Sequence, residues 1–181
     1  MKFTLLKRFA CVAGASSLIA GTMFLTTGTA HASESGSPSG VTCAVTLETQ
    51  FSPGLTFTEQ STTLSFDARY RTCVSDDPTL TSGTRTASST VVRSCNSLAG
   101  TSSGTYTISW NNGQSSTINY SRSATYVAGQ AVQVDTGIVA SGEFSGRNYL
   151  YETVGPQPNL LRCATPGGVT SLTSVGTVII L

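Results

Sequence analysis

The sequence predicts an all-β protein, an antiparallel β-sandwich of about seven to nine strands held by disulfide bonds. Apolar residues alternate with serine and threonine along many short segments, as they do in strands packed on one face. Glycine and proline turns separate these segments, and no stretch combines a sustained helical period with caps. In a domain of this size, the pattern favours a sandwich over a closed barrel.

Strands are expected at 41–47, 64–74, 84–95, 106–110, 114–126, 132–139, 144–154 and 177–181. Proline and glycine at the centre of Ser52–Leu55 predict a type II turn there. In the sixth segment Val132 and Val134 occupy even positions while Val139 is odd, which suggests a bulge at Gly137. Serine and threonine fill most of the remaining strand positions and are expected to tile the outer faces.

The central hairpin can be assigned to the level of register. A three-residue loop over 111–113, a type I turn followed by a left-handed glycine, keeps the large side chains on one face. It predicts three pairs: Trp110 with Gln114, Ile108 with Ser116, and Tyr106 with Ile118. A two-residue loop would put Ile118 and Tyr120 on the face opposite Trp110, so we predict the longer loop.

Trp110, the single tryptophan, has two possible roles. It is expected to anchor the core beneath the hairpin turn. In the alternative, its ring is exposed and forms a ligand-binding platform with Tyr106 and Tyr120, suited to a sugar ring.

The first 32 residues have the pattern of a signal peptide. Lys2, Lys7 and Arg8 form a charged region, 9–25 carry no charge, and Ala30-His31-Ala32 matches a cleavage site. We therefore expect a secreted, extracellular protein with a flexible tail at 33–40 and one domain at 41–181. No later segment is apolar for long enough to span a membrane as a helix.

Cleavage would remove every histidine and lysine. Seven arginines would then face nine carboxylates, for a net charge of −2. Without a basic stripe, nucleic-acid binding is not expected. Without histidine or lysine, Ser-His-Asp, Cys-His and Ser-Lys sites are excluded.

Four cysteines would remain, namely Cys43, Cys73, Cys95 and Cys163. In an exported chain they predict two disulfides, and of the three connectivities up-and-down strands favour Cys43 with Cys73 and Cys95 with Cys163. The spacing contains no short Cys-x-x-Cys pair, and no histidine is left to complete a zinc shell. We expect no metal and no cofactor.

Several motifs distributed along the chain resemble small secreted β-sandwich proteins of actinobacteria such as Streptomyces. These motifs are Cys43, Ser52-Pro53-Gly54-Leu55, Cys73, Cys95, Trp110-Asn111-x-Gly113, Gly137-x-Val139-x-Ser141-Gly142-x-Phe144-x-Gly146 and Leu161-x-Cys163. The resemblance implies an exported, disulfide-bonded sandwich and carries over no catalytic residue.

Carboxylates are the remaining catalytic candidates, because glycoside hydrolysis needs only a pair of them. The candidates are Glu48, Glu59, Asp67, Asp76, Asp77, Asp135, Glu143 and Glu152. None lies in a recognisable motif, and we favour the interpretation that they are solvated strand or turn residues. Asp76 and Asp77 fall short of the roughly six to eight oxygen ligands that calcium takes.

Three functions follow, in order of preference. The first is a monomeric, non-catalytic protein that binds an extracellular or cell-wall ligand such as a carbohydrate. The second is a structural or inhibitor-like interaction module of the cell envelope, with exposed loops making the contacts. The third is a small carboxylate-dependent glycoside hydrolase.

Overall fold

In a computed structural model that describes residues 39–181, eight antiparallel strands close into a barrel. The strands are β1 Val41–Leu55, β2 Gln60–Ser75, β3 Gly83–Arg93, β4 Gly100–Trp110, β5 Ser115–Val127, β6 Gln130–Gly142, β7 Asn148–Pro156 and β8 Val169–Ile180. A single turn of helix, α1 Leu160–Cys163, lies between β7 and β8. The signal peptide predicted at 1–32 and the tail residues 33–38 lie outside the described residues.

The all-β prediction and the strand number are confirmed, whereas the sandwich is wrong. Each strand pairs with the next along the chain, and β8 returns to pair with β1 from Val41↔Ile180 to Gln50↔Ser171. No strand in the described chain crosses to a second sheet, so the sheet closes on itself, although β3 and β4 pair over only part of their length. Sandwich and barrel strands both bury one face, so periodicity alone could not separate the two folds.

The hairpin has the predicted register. Tyr106 pairs with Ile118 and Ile108 with Ser116, and the Trp110 amide donates to the Gln114 carbonyl at 2.9 Å. Gly113 has a φ of 85°, the left-handed conformation that the three-residue loop requires.

Trp110 lies at the point where the barrel is most weakly closed. Within residues 39–181, β3 and β4 pair at two positions, Gly83↔Trp110 and Thr84↔Ser109. The indole ring covers Gly83, and a Cβ added to that glycine would lie 2.6 Å from a ring carbon. Glycine at 83 therefore allows the tryptophan to pack across the seam between the two strands.

We predict that Gly83→Ala lowers the unfolding free energy by about 1–3 kcal/mol, because the methyl group must displace the buried ring. Urea unfolding followed by circular dichroism measures the change. Gly167→Ala is the matched control, since no atom lies within 4 Å of the added Cβ and it should leave stability unchanged or slightly raised. Equal midpoints for the two variants would contradict this account of the seam.

The described chain contains two disulfides, Cys43–Cys73 and Cys95–Cys163. They are the pairs that up-and-down strand order predicts. The first joins β1 to β2, and the second joins the β3–β4 loop to α1. Each closes a chain loop, which stabilises a fold by about 3–4 kcal/mol.

Two local predictions are wrong. Ser52–Leu55 is the end of β1 and not a turn; here the β1–β8 register shifts from Gln50↔Ser171 to Leu55↔Val169, an irregularity that tolerates a proline. The bulge in β6 lies beyond Gly137, because Thr117 pairs with Ser141 while Ile118 pairs with Val139.

The inside of the barrel divides into two halves. The half that we call the packed half contains large buried side chains, among them Tyr70, Leu80, Trp110, Phe144 and Ile180. The half that we call the cavity half has a smaller core beside the second disulfide, with Phe51, Leu55, Leu64 and Val169. On the outer face, hydroxyl groups meet across strands, as at Thr63–Thr90 and Thr107–Thr117.

Candidate ligand-binding cavity

The cavity half contains a space of about 500 Å³ that is partly open to solvent. Its walls include Ser89, Val91 and Arg93 of β3 and the facing segment 97–103, so it borders the stretch where β3 and β4 are not paired. An eight-stranded barrel is just wide enough either to be filled by its own side chains or to hold one small ligand. In this barrel, side chains fill the packed half, and the cavity half is left with room for one small ligand.

One side of the cavity is apolar. It is built by inward positions of β1, β2 and β8, namely Leu47, Phe51, Leu64, Phe66 and Leu172. The alternation of β1 places Leu47 and Phe51 inside, with Glu48 and Gln50 on the outer surface. This side offers a continuous apolar surface to a bound molecule.

The opposite side is polar and contains an ion pair. Ser102, Gln133 and Thr153 line it together with Arg122. Arg122 donates from Nε and one terminal nitrogen to the two oxygens of Asp135, each at 2.8 Å. Asp135 is 0% exposed, and the side chain of Arg122 retains 18% of its exposure on the cavity side.

Below the cavity, towards the packed half, lies a layer of tyrosines around a second arginine. The guanidinium carbon of Arg85 is 4.0 Å from the ring centre of Tyr106 and 5.7 Å from that of Tyr151. Such contacts favour a cation electrostatically. The hydroxyls of Tyr106 and Tyr149 are hydrogen-bonded to each other.

Arg85 has no carboxylate partner among residues 39–181, where the ion pairs are Arg69–Asp67 and Arg122–Asp135. Arg85 is 5% exposed, and its buried Nε has no hydrogen-bond acceptor. Arg85 and Arg122 therefore lie inside the described barrel with one carboxylate, an excess of one positive charge, and half-buried Arg93 adds a further cation at the cavity wall.

The structure separates the three predicted binding residues. Trp110 is 4% exposed and lies in the packed half, where its Nε1 donates to the Ser116 hydroxyl at 2.8 Å. It is the core residue that the sequence predicts, and the alternative of an exposed platform at Trp110 is wrong. Tyr106 and Tyr120 do come together, with ring centres 5.0 Å apart, and Tyr120 lines the cavity while Tyr106 lies beneath it.

The carboxylate candidates do not meet in the cavity. Glu48 and Asp67 are opposite each other on the outer face of β1 and β2, and Asp67 is paired with exposed Arg69 at 3.3 Å. Asp77 accepts hydrogen bonds from Thr79 and Asn112, which lower the pKa of its carboxyl group and tie its loop to the hairpin turn. Both arrangements are surface structure without a shielded cleft.

Among the described residues, no three histidine, cysteine or acidic side chains are placed to hold a metal ion. None of the helical structure in that part of the chain is long and apolar enough to cross a membrane.

Sequence reasoning missed Arg85 and Arg122, and it named Asp135 as a candidate catalytic carboxylate and not as the partner in a buried ion pair. For Arg122 a signal exists, because the hairpin register that places Ile118 and Tyr120 inside also places Arg122 inside. For Asp135 the apolar pattern of β6 is misleading, because the apolar residues around it lie on the outer face while Asp135 itself points inward.

Comparison with known proteins identifies no matching family model, no similar curated protein and no similar solved structure.

Proposed function

We propose that this protein is an extracellular, non-catalytic binding protein that holds one small ligand inside its barrel. The observation that carries the proposal is the unequal filling of the interior, with one half packed and the other containing a cavity of about 500 Å³. Cavities of this size, lined by apolar groups and a few polar ones, are typical of small-molecule sites.

The composition of the cavity wall supports a binding role without catalysis. Its described lining offers serine and threonine hydroxyls but contains no carboxylate or histidine, the groups that most often activate a hydroxyl as a nucleophile. The two disulfides are consistent with an extracellular protein, as is the resemblance to exported actinobacterial proteins. A carbohydrate fits this geometry only within the cavity. Tyr120 and Tyr126 line the cavity and offer aromatic rings to a sugar, whereas Trp110 is buried in the core.

A neutral fluorescent probe tests the cavity directly. N-phenyl-1-naphthylamine is dark in water and emits in apolar sites, so we expect its emission to rise on mixing with the protein, with saturation at one probe per chain. Ala124→Trp should abolish the rise by filling the space, because Ala124 points inward and lines the cavity.

Ser123→Trp is the matched control for this substitution. Ser123 is the neighbouring residue, lies exposed on the outer face and should leave probe binding unchanged. Absence of probe binding by the native protein would refute the proposal. Equal loss in both tryptophan variants would do the same for the assignment of the site to the barrel interior.

A further inference from the structure

We propose that the ligand is an amphipathic carboxylic acid: an apolar body that lies on the β1–β2–β8 side of the cavity, with one carboxylate directed to Arg122. This inference rests on the proposed function and names the ligand class for the same cavity. Two independent features carry it, the charge of the interior and the division of the cavity wall.

Arg85 is a buried cation. A buried cation is normally paired, because an isolated charge in a low-dielectric interior is costly. Arg122 has its counterion in Asp135, whereas Arg85 has tyrosine rings and no carboxylate among residues 39–181. A ligand with a single negative charge would offset the unpaired charge of Arg85, and a cationic ligand would add to the positive charge of the interior.

The position of Arg122 shows where that negative group would bind. The guanidinium has five N–H donors, and Asp135 takes one from Nε and one from a terminal nitrogen. The other terminal nitrogen makes no hydrogen bond with the described residues, and Arg122 lines the cavity. Arg93, half-buried in the same wall, adds a second cation. Arginine N–H groups bind carboxylates through short, charge-assisted hydrogen bonds.

The cavity wall has an apolar side and a polar side, and this division indicates the shape of the rest of the ligand. Leu47, Phe51, Leu64, Phe66 and Leu172 form one side, while the cationic and hydroxyl groups lie on the other. A uniformly polar molecule would leave the apolar side against water or against its own polar atoms. An apolar chain or ring with one carboxylate matches both sides at once.

Displacement of bound N-phenyl-1-naphthylamine by three probes of equal chain length tests the proposal. The probes are decanoate, 1-decanol and decylammonium. We expect decanoate to compete about tenfold or more better than decanol, the difference for one charge-assisted contact, and decylammonium to be the weakest. Equal competition by decanoate and decanol would overturn the carboxylate inference and leave the cavity proposal intact. Failure of the naphthylamine to bind would instead remove the proposed function itself.

Arg85→Met separates the interior charge from simple apolar binding. It removes the excess cation and leaves the Arg122–Asp135 pair in place, so decanoate should lose about tenfold in affinity while decanol is unchanged. Arg71→Met, at an exposed position of β2, makes the same change in net charge and should affect neither probe. Arg93→Met serves where Arg85→Met does not fold, with a selective loss for decanoate again expected. Retention of the full decanoate preference in Arg85→Met and Arg93→Met would overturn the inference.

Discussion

Raising the pH above about 10 is expected to unfold this barrel cooperatively, because the buried tyrosines resist ionisation in the folded state. Burial raises the pKa of Tyr151 to about 12 and lifts the pKa values of Tyr70, Tyr106 and Tyr149 further above the ordinary tyrosine value. Below pH 10 these four residues are protonated in both states and contribute no pH dependence.

Above pH 10, the release of protons from the unfolded chain determines whether stability rises or falls with pH. Unfolded tyrosines lose their protons near pH 10 while the folded ones keep theirs, so stability falls as the pH rises towards the folded pKa values. Each tyrosine contributes about 1.4 kcal/mol per pH unit, and four together contribute roughly 5 kcal/mol per unit. Because a domain of this kind is stable by about 5–15 kcal/mol, the loss should unfold it within a few pH units.

Tyrosinate absorbance and Trp110 emission, recorded on the same samples, measure this effect. We expect the absorbance of the four buried tyrosines to rise in the same narrow pH range in which Trp110 becomes exposed to water. A gradual rise in tyrosinate absorbance with unchanged Trp110 emission would mean that the tyrosine layer is open to solvent, contrary to the structure.

Tyr70→Phe provides an internal comparison. The hydroxyl of Tyr70 is buried without a hydrogen-bond partner, so its removal should leave stability at neutral pH unchanged or raised. The slope of stability against pH above 10 should fall by about one quarter, the share of one tyrosine in four. An unchanged slope would show that Tyr70 ionises in the folded protein.

The hairpin shows why part of this fold could be predicted. Its register depends on neighbouring residues alone, since only one loop length puts Tyr106, Trp110 and Ile118 on the same face. The disulfide pairs follow in the same way from strand direction, because up-and-down strands bring Cys43 and Cys73 to one end of the sheet. The hairpin and the Cys43–Cys73 bridge join neighbouring strands, whereas Cys95 and Cys163 are 68 residues apart and their pairing follows from strand direction alone.

The cavity could not be predicted because it depends on the interior of the whole barrel. In β6 the apolar residues Val134 and Ile138 lie on the outer face, while Asp135 is buried beside Arg122. An apolar pattern therefore indicates the wrong face wherever an interior ion pair takes the inward positions. Closure itself is set by pairing between β1 and β8, the two strands farthest apart in sequence, and strand periodicity contains no information about it.

Arg122→Met is expected to lower the unfolding free energy by about 3–5 kcal/mol, because it leaves the fully buried Asp135 without its counterion. Two charge-assisted hydrogen bonds of 2.8 Å are lost, and the remaining contact from Gln133 to the carboxylate, at 3.4 Å, is too weak to replace them. Denaturant unfolding, followed by the emission of Trp110, gives the change in stability.

Arg69→Met is the matched control, because Arg69 pairs with Asp67 on the exposed outer face and such pairs contribute about 0–1 kcal/mol. The double variant Arg122→Met with Asp135→Leu removes both buried charges and should recover most of the lost stability, since apolar side chains can replace a buried pair without large cost. Recovery in the double variant would mean that desolvation of a lone carboxylate, and not lost packing around Arg122, causes the loss in the single variant. If Arg122→Met costs no more than Arg69→Met, the carboxylate of Asp135 reaches water or another cation, and the interior charge that we assign to this barrel is wrong.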